Sequence, residues 1–412
     1  MDSERAADAL RAGCAEFLVP GAQLGLLRGD ERMVVCAGTV AAGAAPPVEP
    51  TTAFHAGSIA KSLVALLVVD AARRGELDLD TPCDEQAAGL WNDTPRALMA
   101  QTTGRQNLLP EMDEELGSFV ARVAQLPLTH PPGRFSYCNA GWSVLDLLLR
   151  RRCGRGFEEL AADRVLGSEA IFGKPAGAAE GHGVGADGSV RPVPSDAAAA
   201  ASAAGSRWWV TADGLLDYAA LHLGDGLGRF DPVDVRELRR PHAEVPGSTM
   251  SDSWGLGWAL WHRDRHRAFG WAGYTAGHRA YLRCFPEQDA AVVLLAGSAG
   301  PLFGPPGGSA LFDSLLPEAL ELLGVPPIGP AARPATGRPA EELAGTYGPV
   351  SLQAAGSDRL LIHAAALGHA EPLGHHRIGG DTFARDGEPP GGMLVAVQED
   401  LLYLGPFALP RL

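Results

Sequence analysis

The chain has 412 residues, 46% of them apolar, enough for a large buried core with a smaller unit appended. Its 49 acidic residues exceed 34 basic ones, for a formal net charge of −15. That balance excludes non-specific nucleic-acid binding, which needs clustered bases to displace counterions.

The opening Met1-Asp2-Ser3-Glu4-Arg5 lacks the basic and apolar regions of a signal peptide. No apolar run reaches the roughly 18 residues of a membrane span. The expectation is a cytoplasmic protein without a membrane partner. Cys14, Cys36, Cys83, Cys138, Cys153 and Cys284 are scattered and form no C-x-x-C, so they read as reduced core residues.

Residues 6–17 predict a short helix, and 22–27 with 33–36 a β-hairpin about Arg28-Gly29-Asp30-Glu31. A long helix is expected over 58–74, with Leu63, Leu66, Leu67 and Val69 on its inner side and Gly75 as its stop. Helix and loop then dominate to about residue 223, and the Gly/Ala-rich stretch 173–204 reads as a surface loop. Strands return at 254–261, 279–285 and 290–295, followed by a helix over 310–323. Strands near both ends of this region, with helices between, predict one sheet completed by both termini.

Residues 325–339 hold five prolines and two glycines and read as a linker. Short β-like runs follow at 348–354, 360–364, 382–384, 393–397 and 401–404, predicting a small antiparallel sheet or barrel. The expected domains are 1–325, a linker at 326–340, and 341–412.

Only two of the 34 bases are lysine, Lys61 and Lys174. In a chain that otherwise uses arginine, a retained lysine is a candidate for a position needing an amine whose pKa can fall. Ser58-Ile59-Ala60-Lys61 is S-x-x-K, and helical residues three apart share a face, so the hydroxyl and the amine can meet. At a helix start the Ser58 N–H also sits at the positive end of the dipole, suited to a developing oxyanion. The bland alternative is a serine N-cap followed by an exposed lysine. Tyr137-Cys138-Asn139 stands at a loop–helix junction after Pro131-Pro132-Gly133 and can present a phenol and an amide to a pocket. A tyrosine anchoring a helix start is its alternative. The small residues of Gly270-Trp271-Ala272-Gly273-Tyr274-Thr275-Ala276-Gly277 let a substrate lie along the backbone.

In order and spacing these segments resemble the class C β-lactamase and D-alanyl-D-alanine peptidase superfamily. Phe54-His55-Ala56-Gly57-Ser58-Ile59-Ala60-Lys61, Leu98-Met99-Ala100-Gln101-Thr102-Thr103-Gly104 and the run from Pro132 to Trp142 carry the match. Trp254-Gly255-Leu256-Gly257-Trp258 and the glycine-rich segment continue it, over most of residues 15–325. The resemblance implies an α+β fold, with a five-stranded antiparallel sheet flanked by helices and an all-helical subdomain. The C-terminal strands resemble the lipocalin-like domain appended to many members. By the same resemblance Ser58 is the nucleophile, Lys61 the proton acceptor, Tyr137 the relay to the leaving group, and Asn139 a holder of Lys61 or substrate. The N–H groups of Ser58 and Tyr274 form the oxyanion hole, and Trp271 and Gly273 bind substrate. Lys61 and Tyr137 both remain open as the base.

One departure stands out. Relatives carry Lys-Thr-Gly or His-x-Gly where this chain has Trp271-Ala272-Gly273. Indole takes no charge and offers one donor, so recognition of a substrate carboxylate there is not expected. The Trp-x-Gly form resembles family VIII-type esterases, and Arg279 or Arg134 are the candidate replacement cations.

No G-x-S-x-G elbow or P-loop pattern is present. His262/His266 and His375-His376 read as surface residues, and no metal or cofactor is expected. Trp208-Trp209 reads as core packing beside a helix start. The reading is a serine acyl-enzyme catalyst that cleaves an ester, thioester or amide of a small molecule or peptide, and passes the acyl group to water or an amine. An amide-forming acyltransferase or peptide cyclase of natural-product biosynthesis stands nearly level with it. A non-catalytic sensor on the same fold is the third reading.

Overall fold

The computed structural model describes residues 1–43, 45–111, 113–167, 170–185, 187–194, 207–263, 266–300, 307–367, 369, 371–387 and 394–412. Its main sheet runs Glu31–Gly38, Gly21–Arg28, Ala290–Ala296, Arg279–Phe285, His266–Tyr274, Ala259–Arg263, Ser253–Trp254, Ala243–Glu244. Both ends of this region complete one sheet: Gly21–Arg28 pairs antiparallel with Ala290–Ala296, Ala22 opposite Ala296 and Arg28 opposite Ala290. The five long strands implied by the resemblance stand together, and three shorter ones extend the edge beside His266–Tyr274.

The strand period of two divides the core. Ala291, Val293 and Leu295 face a cluster built with the helices Ala60–Arg73, Ala140–Cys153 and Ala212–Leu223. Ala290, Val292 and Leu294 face Leu10, Leu311 and Leu315 of the helices Ser3–Glu16 and Gly308–Leu323. Helix Ala60–Arg73 does not bury one side alone, as its pattern predicts: every residue from Ala60 to Ala71 is buried. Sheet and helices enclose it on all sides, which its nearly unbroken apolar sequence permits.

Three local expectations change. The single strand over 254–261 is instead two, Ser253–Trp254 and Ala259–Arg263, paired with each other so that Trp254 faces Ala259. The turn between them carries Gly257 at φ +83°, where a Cβ would press on Ala65 and on the Lys61 carbonyl. Of the histidines expected at the surface, His262 is exposed, whereas His375 is fully buried. Within 173–204, Gly181–Val184 and Val190–Val193 form a hairpin, while 195–204 lie outside the described residues.

After residue 339 eight strands, from Gly345–Tyr347 to Phe407–Pro410, pair in chain order. A bridge from Tyr347 to Arg411 links the first to the last, close to a closed barrel. The run at 348–354 is a strand only from Val350, because Gly348 turns the chain at φ +52°. Met393 of the run at 393–397 lies outside the described residues. Gly345–Tyr347, Leu373–Gly379 and Phe407–Pro410 are additions to the expected strands, since short glycine- and proline-interrupted segments show no alternation. No helix among the described residues is long and apolar enough to cross a membrane.

Candidate active site

Strand Phe54–His55, paired with Trp208–Val210, delivers the chain into a 3-10 turn, Gly57–Ile59, that runs on as helix Ala60–Arg73. Ser58 stands on that turn, half-buried, and the Lys61 amine donates to its Oγ at 3.0 Å. The turn is seated by His55, whose Nδ1 accepts the Gly57 N–H at 3.0 Å. Lys61 is fully buried, and loss of water around its amine lowers its pKa to about 7.

Tyr137 is also buried, and its ring lies 5.0 Å from the Lys61 amine. Burial holds the phenol above its ordinary pKa and therefore neutral, with the Ser58 hydroxyl and the Trp271 indole partly offsetting that rise. The Trp271 N–H nonetheless completes no well-aligned hydrogen bond. Around the phenol the wall is aromatic: Trp271 lies 5.4 Å from the Tyr137 ring, Trp254 6.0 Å and Phe407 6.0 Å. Trp254 is fixed in turn by its N–H, which donates to the Met99 carbonyl at 2.9 Å.

The serine turn and strand His266–Tyr274 approach to a distance that only glycines allow. A Cβ on Gly273 would fall 2.0 Å from the Ala56 carbonyl oxygen, and one on Gly57 would fall 2.8 Å from Gly273 Cα and 3.1 Å from the Tyr274 nitrogen. Gly57 also holds φ +55°, in the left-handed region. Gly273 thus acts through close packing on the serine turn, and that packing brings the Ser58 and Tyr274 backbones side by side.

Asn139 departs from its expected partners in one respect. Its backbone N–H and one side-chain N–H both donate to Asn107 Oδ1, each at 2.9 Å, so its side-chain oxygen and second amide N–H are the groups left for Lys61 or substrate. Both candidate cations are engaged by partners within the protein. Arg279 is buried and donates to the carbonyls of Thr275, His278, Ala299 and Gly300, with Tyr274 stacked at 4.6 Å; it staples the loop after Tyr274. Arg134 pairs with Glu399. The triplet beginning at Trp271 therefore leaves this end of the site aromatic and uncharged.

Sequence reasoning misses several supporting groups. Gln101, at φ +62°, accepts the Ser136 N–H on its carbonyl and the Cys138 N–H on Oε1, both at 2.8 Å. Asn107, His55 and Phe407 are missed likewise; Gln101 and His55 lie within the quoted motifs, whereas Phe407 carries no local signal. Among the described residues no group of three or more His, Cys, Asp or Glu side chains is arranged to hold a metal ion.

The Beta-lactamase family profile matches residues 7–309. Penicillin-binding protein 4 of Amycolatopsis lactamdurans is 29% identical over 381 residues, covering 82% of this chain and 95% of that one. The crystal structure of SurE superposes with a TM-score of 0.79 at 25% identity, covering 100% of this chain and 99% of the other; SurE with D-Leu gives 0.76 at 25% identity, covering 100% of both. The octameric penicillin-binding protein homologue from Pyrococcus abyssi shares the fold, with a TM-score of 0.70 at 18% identity and coverage of 100% of both chains. The fold and the profile match agree: this chain belongs to the beta-lactamase family, a family of serine hydrolases.

Proposed function

We propose that the protein is a serine acyl-transfer enzyme acting on an ester, thioester or amide whose acyl portion is uncharged near the reacting carbonyl. The observation that carries this reading is the 3.0 Å contact between Ser58 Oγ and a fully buried Lys61 amine. An amine with pKa about 7 is substantially neutral at neutral pH and can accept a proton, which an exposed lysine cannot. The same contact argues against a non-catalytic sensor, which has no need to bury a lysine against a serine.

In this reading Ser58 Oγ bonds to the substrate carbonyl carbon as its proton passes to Lys61. The carbonyl oxygen becomes an oxyanion held by the Ser58 and Tyr274 N–H groups. Lys61 then returns the proton through Tyr137 to the leaving oxygen, sulfur or nitrogen, whose bond to carbon breaks. Water or an amine reverses the sequence: it loses a proton to Tyr137 and Lys61, bonds to the acyl carbon, and Ser58 recovers its hydrogen. The neutral phenol suits a donor to the leaving group, and the lowered amine pKa supports Lys61 as the base.

The uncharged indole of Trp271, backed by the buried Trp254, favours an apolar acyl group over the carboxylate of a β-lactam or D-Ala-D-Ala peptide. Transfer to an amine is favoured by one finding: SurE, similar over the whole length, was crystallised with the amino acid D-Leu. Intact-mass measurement after a fluorophosphonate tests the chemistry. A single adduct absent from Ser58→Ala is expected, and equal labelling of that variant overturns it. Incubating a p-nitrophenyl ester with and without D-leucine separates the two fates. Amide exceeding acid at millimolar amine marks a transferase, and acid alone a hydrolase.

A further inference from the structure

The segment carrying Tyr137 belongs to neither main strand array, yet it is held like a strand between two partners. In extended backbone, successive N–H groups point to opposite sides. Here those of Ser136 and Cys138 turn toward Gln101, at 2.8 Å each. That of Tyr137 turns the other way and donates to the Pro406 carbonyl at 3.0 Å. Pro406 is in the last hairpin turn of the C-terminal barrel, between Leu401–Leu404 and Phe407–Pro410.

The same turn makes further contacts with the catalytic half. The Ala408 N–H donates to Ser136 Oγ at 3.2 Å, and Thr249 Oγ1 donates to the Gly405 carbonyl at 2.8 Å. Phe407 meets the Tyr137 ring edge-on at 6.0 Å, and Arg134 pairs with Glu399 from the preceding hairpin. Phe407 is itself half-buried. A barrel that merely hung from the linker would need none of these contacts with the segment around Tyr137.

We propose that the C-terminal barrel is a working part of the active site: its Pro406–Phe407 turn positions Tyr137 against Ser58 and Lys61. This rests on the reading of Tyr137 as the proton relay. Phe407 is thus a positioning residue, acting through Tyr137. Without its ring the phenol loses one of its walls and water reaches the Tyr137–Lys61 pair.

The test is made on the full chain with a small p-nitrophenyl ester. Phe407→Ala is expected to lower kcat about 100-fold, the scale of a 1 Å misplacement, with KM changed less than about threefold. The acid limb of its pH–rate profile moves to higher pH, because admitted water restores the ammonium form of Lys61. Phe407→Leu, which refills most of the volume, recovers to within about tenfold of wild type. Wild-type kcat and pH profile in a folded Phe407→Ala, or a change confined to KM, overturn the inference. If Phe407→Ala does not fold, Ser136→Ala removes only the acceptor for the Ala408 N–H; unchanged kcat and pH profile there overturn it equally. Wild type that gains no fluorophosphonate adduct at Ser58 defeats the reading of the site, and this inference with it. A labelled wild type with unaffected variants defeats this inference alone.

Discussion

At the floor of the site Lys61 is fully buried, its amine 3.0 Å from Ser58 Oγ and 5.0 Å from the centre of the Tyr137 ring. On the rim of the molecule Lys174 keeps 21% of its side chain exposed and pairs with Glu180 at 2.6 Å. The chain has only these two lysines, and the same side chain meets opposite surroundings. Around Lys61 water is replaced by Tyr137, Cys138 and the closed turn of helix Ala60–Arg73, so the charged form is disfavoured. Around Lys174 a carboxylate and solvent support the charge, and an arginine would serve as well. What separates a reactive amine from a surface one is the packing around it.

The comparison breaks most visibly at Lys61→Arg. Guanidinium stays protonated at working pH and cannot take the Ser58 proton, so turnover of an activated ester should fall by about 1,000-fold or more. Steady-state kinetics check this, and retained turnover removes Lys61 from the mechanism. Next is Gly273→Ala, which forces a methyl toward the Ala56 carbonyl and pushes the serine turn away from Tyr274. A loss of about 100-fold in kcat is expected, comparable to removing one oxyanion donor, with a fluorophosphonate labelling rate reduced in parallel.

Stability should move against activity. Lys61→Met removes a buried ionisable group from an apolar site and should stabilise the fold by on the order of 2 kcal/mol near pH 6, in chemical denaturation. Folding lowers the Lys61 pKa from 10.5 to about 7, so between those values the unfolded chain binds more protons than the native one. Wild-type stability contributed by this group therefore rises with pH across that window, and the advantage of Lys61→Met shrinks as pH approaches 10.5. An advantage that grows with pH would contradict the sign. The smallest effect belongs to Lys174→Arg, for which less than about twofold in kcat and less than about 0.5 kcal/mol are expected.

Much of this contrast is legible in the amino-acid sequence. Ser58 and Lys61 are linked by helical spacing, a local relation that survives whatever surrounds it, and Tyr137 stands where a proline–glycine turn meets a helix. The hairpin at Gly21–Gly38 and the final strands Arg279–Phe285 and Ala290–Ala296 follow from short apolar runs bounded by turn residues. Strand His266–Tyr274 reads only as a glycine-rich approach to Arg279, because Gly270 and Gly273 lower strand propensity at the points where backbone must come close. The hairpin turn at Gly257 hides inside an apolar run for the same kind of reason. Its glycine answers to Ala65 and Lys61 on the helix beneath it, partners remote in the chain. The contact between Ser136 and Ala408 spans 272 residues and has no local signature at all. Neither the partners of Arg279 and Arg134 nor the contact of Phe407 with Tyr137 is open to inspection of spacing.

The most direct test of the central claim is the pH dependence of single-turnover acylation of Ser58 by a p-nitrophenyl ester, followed by the release of p-nitrophenol. A neutral Lys61 as proton acceptor predicts a rate that rises with pH, half-maximal near 7, and that is lost in both Ser58→Ala and Lys61→Arg. A rate that is flat from about pH 5 to about pH 9 in wild type, or that persists in Lys61→Arg, would contradict it.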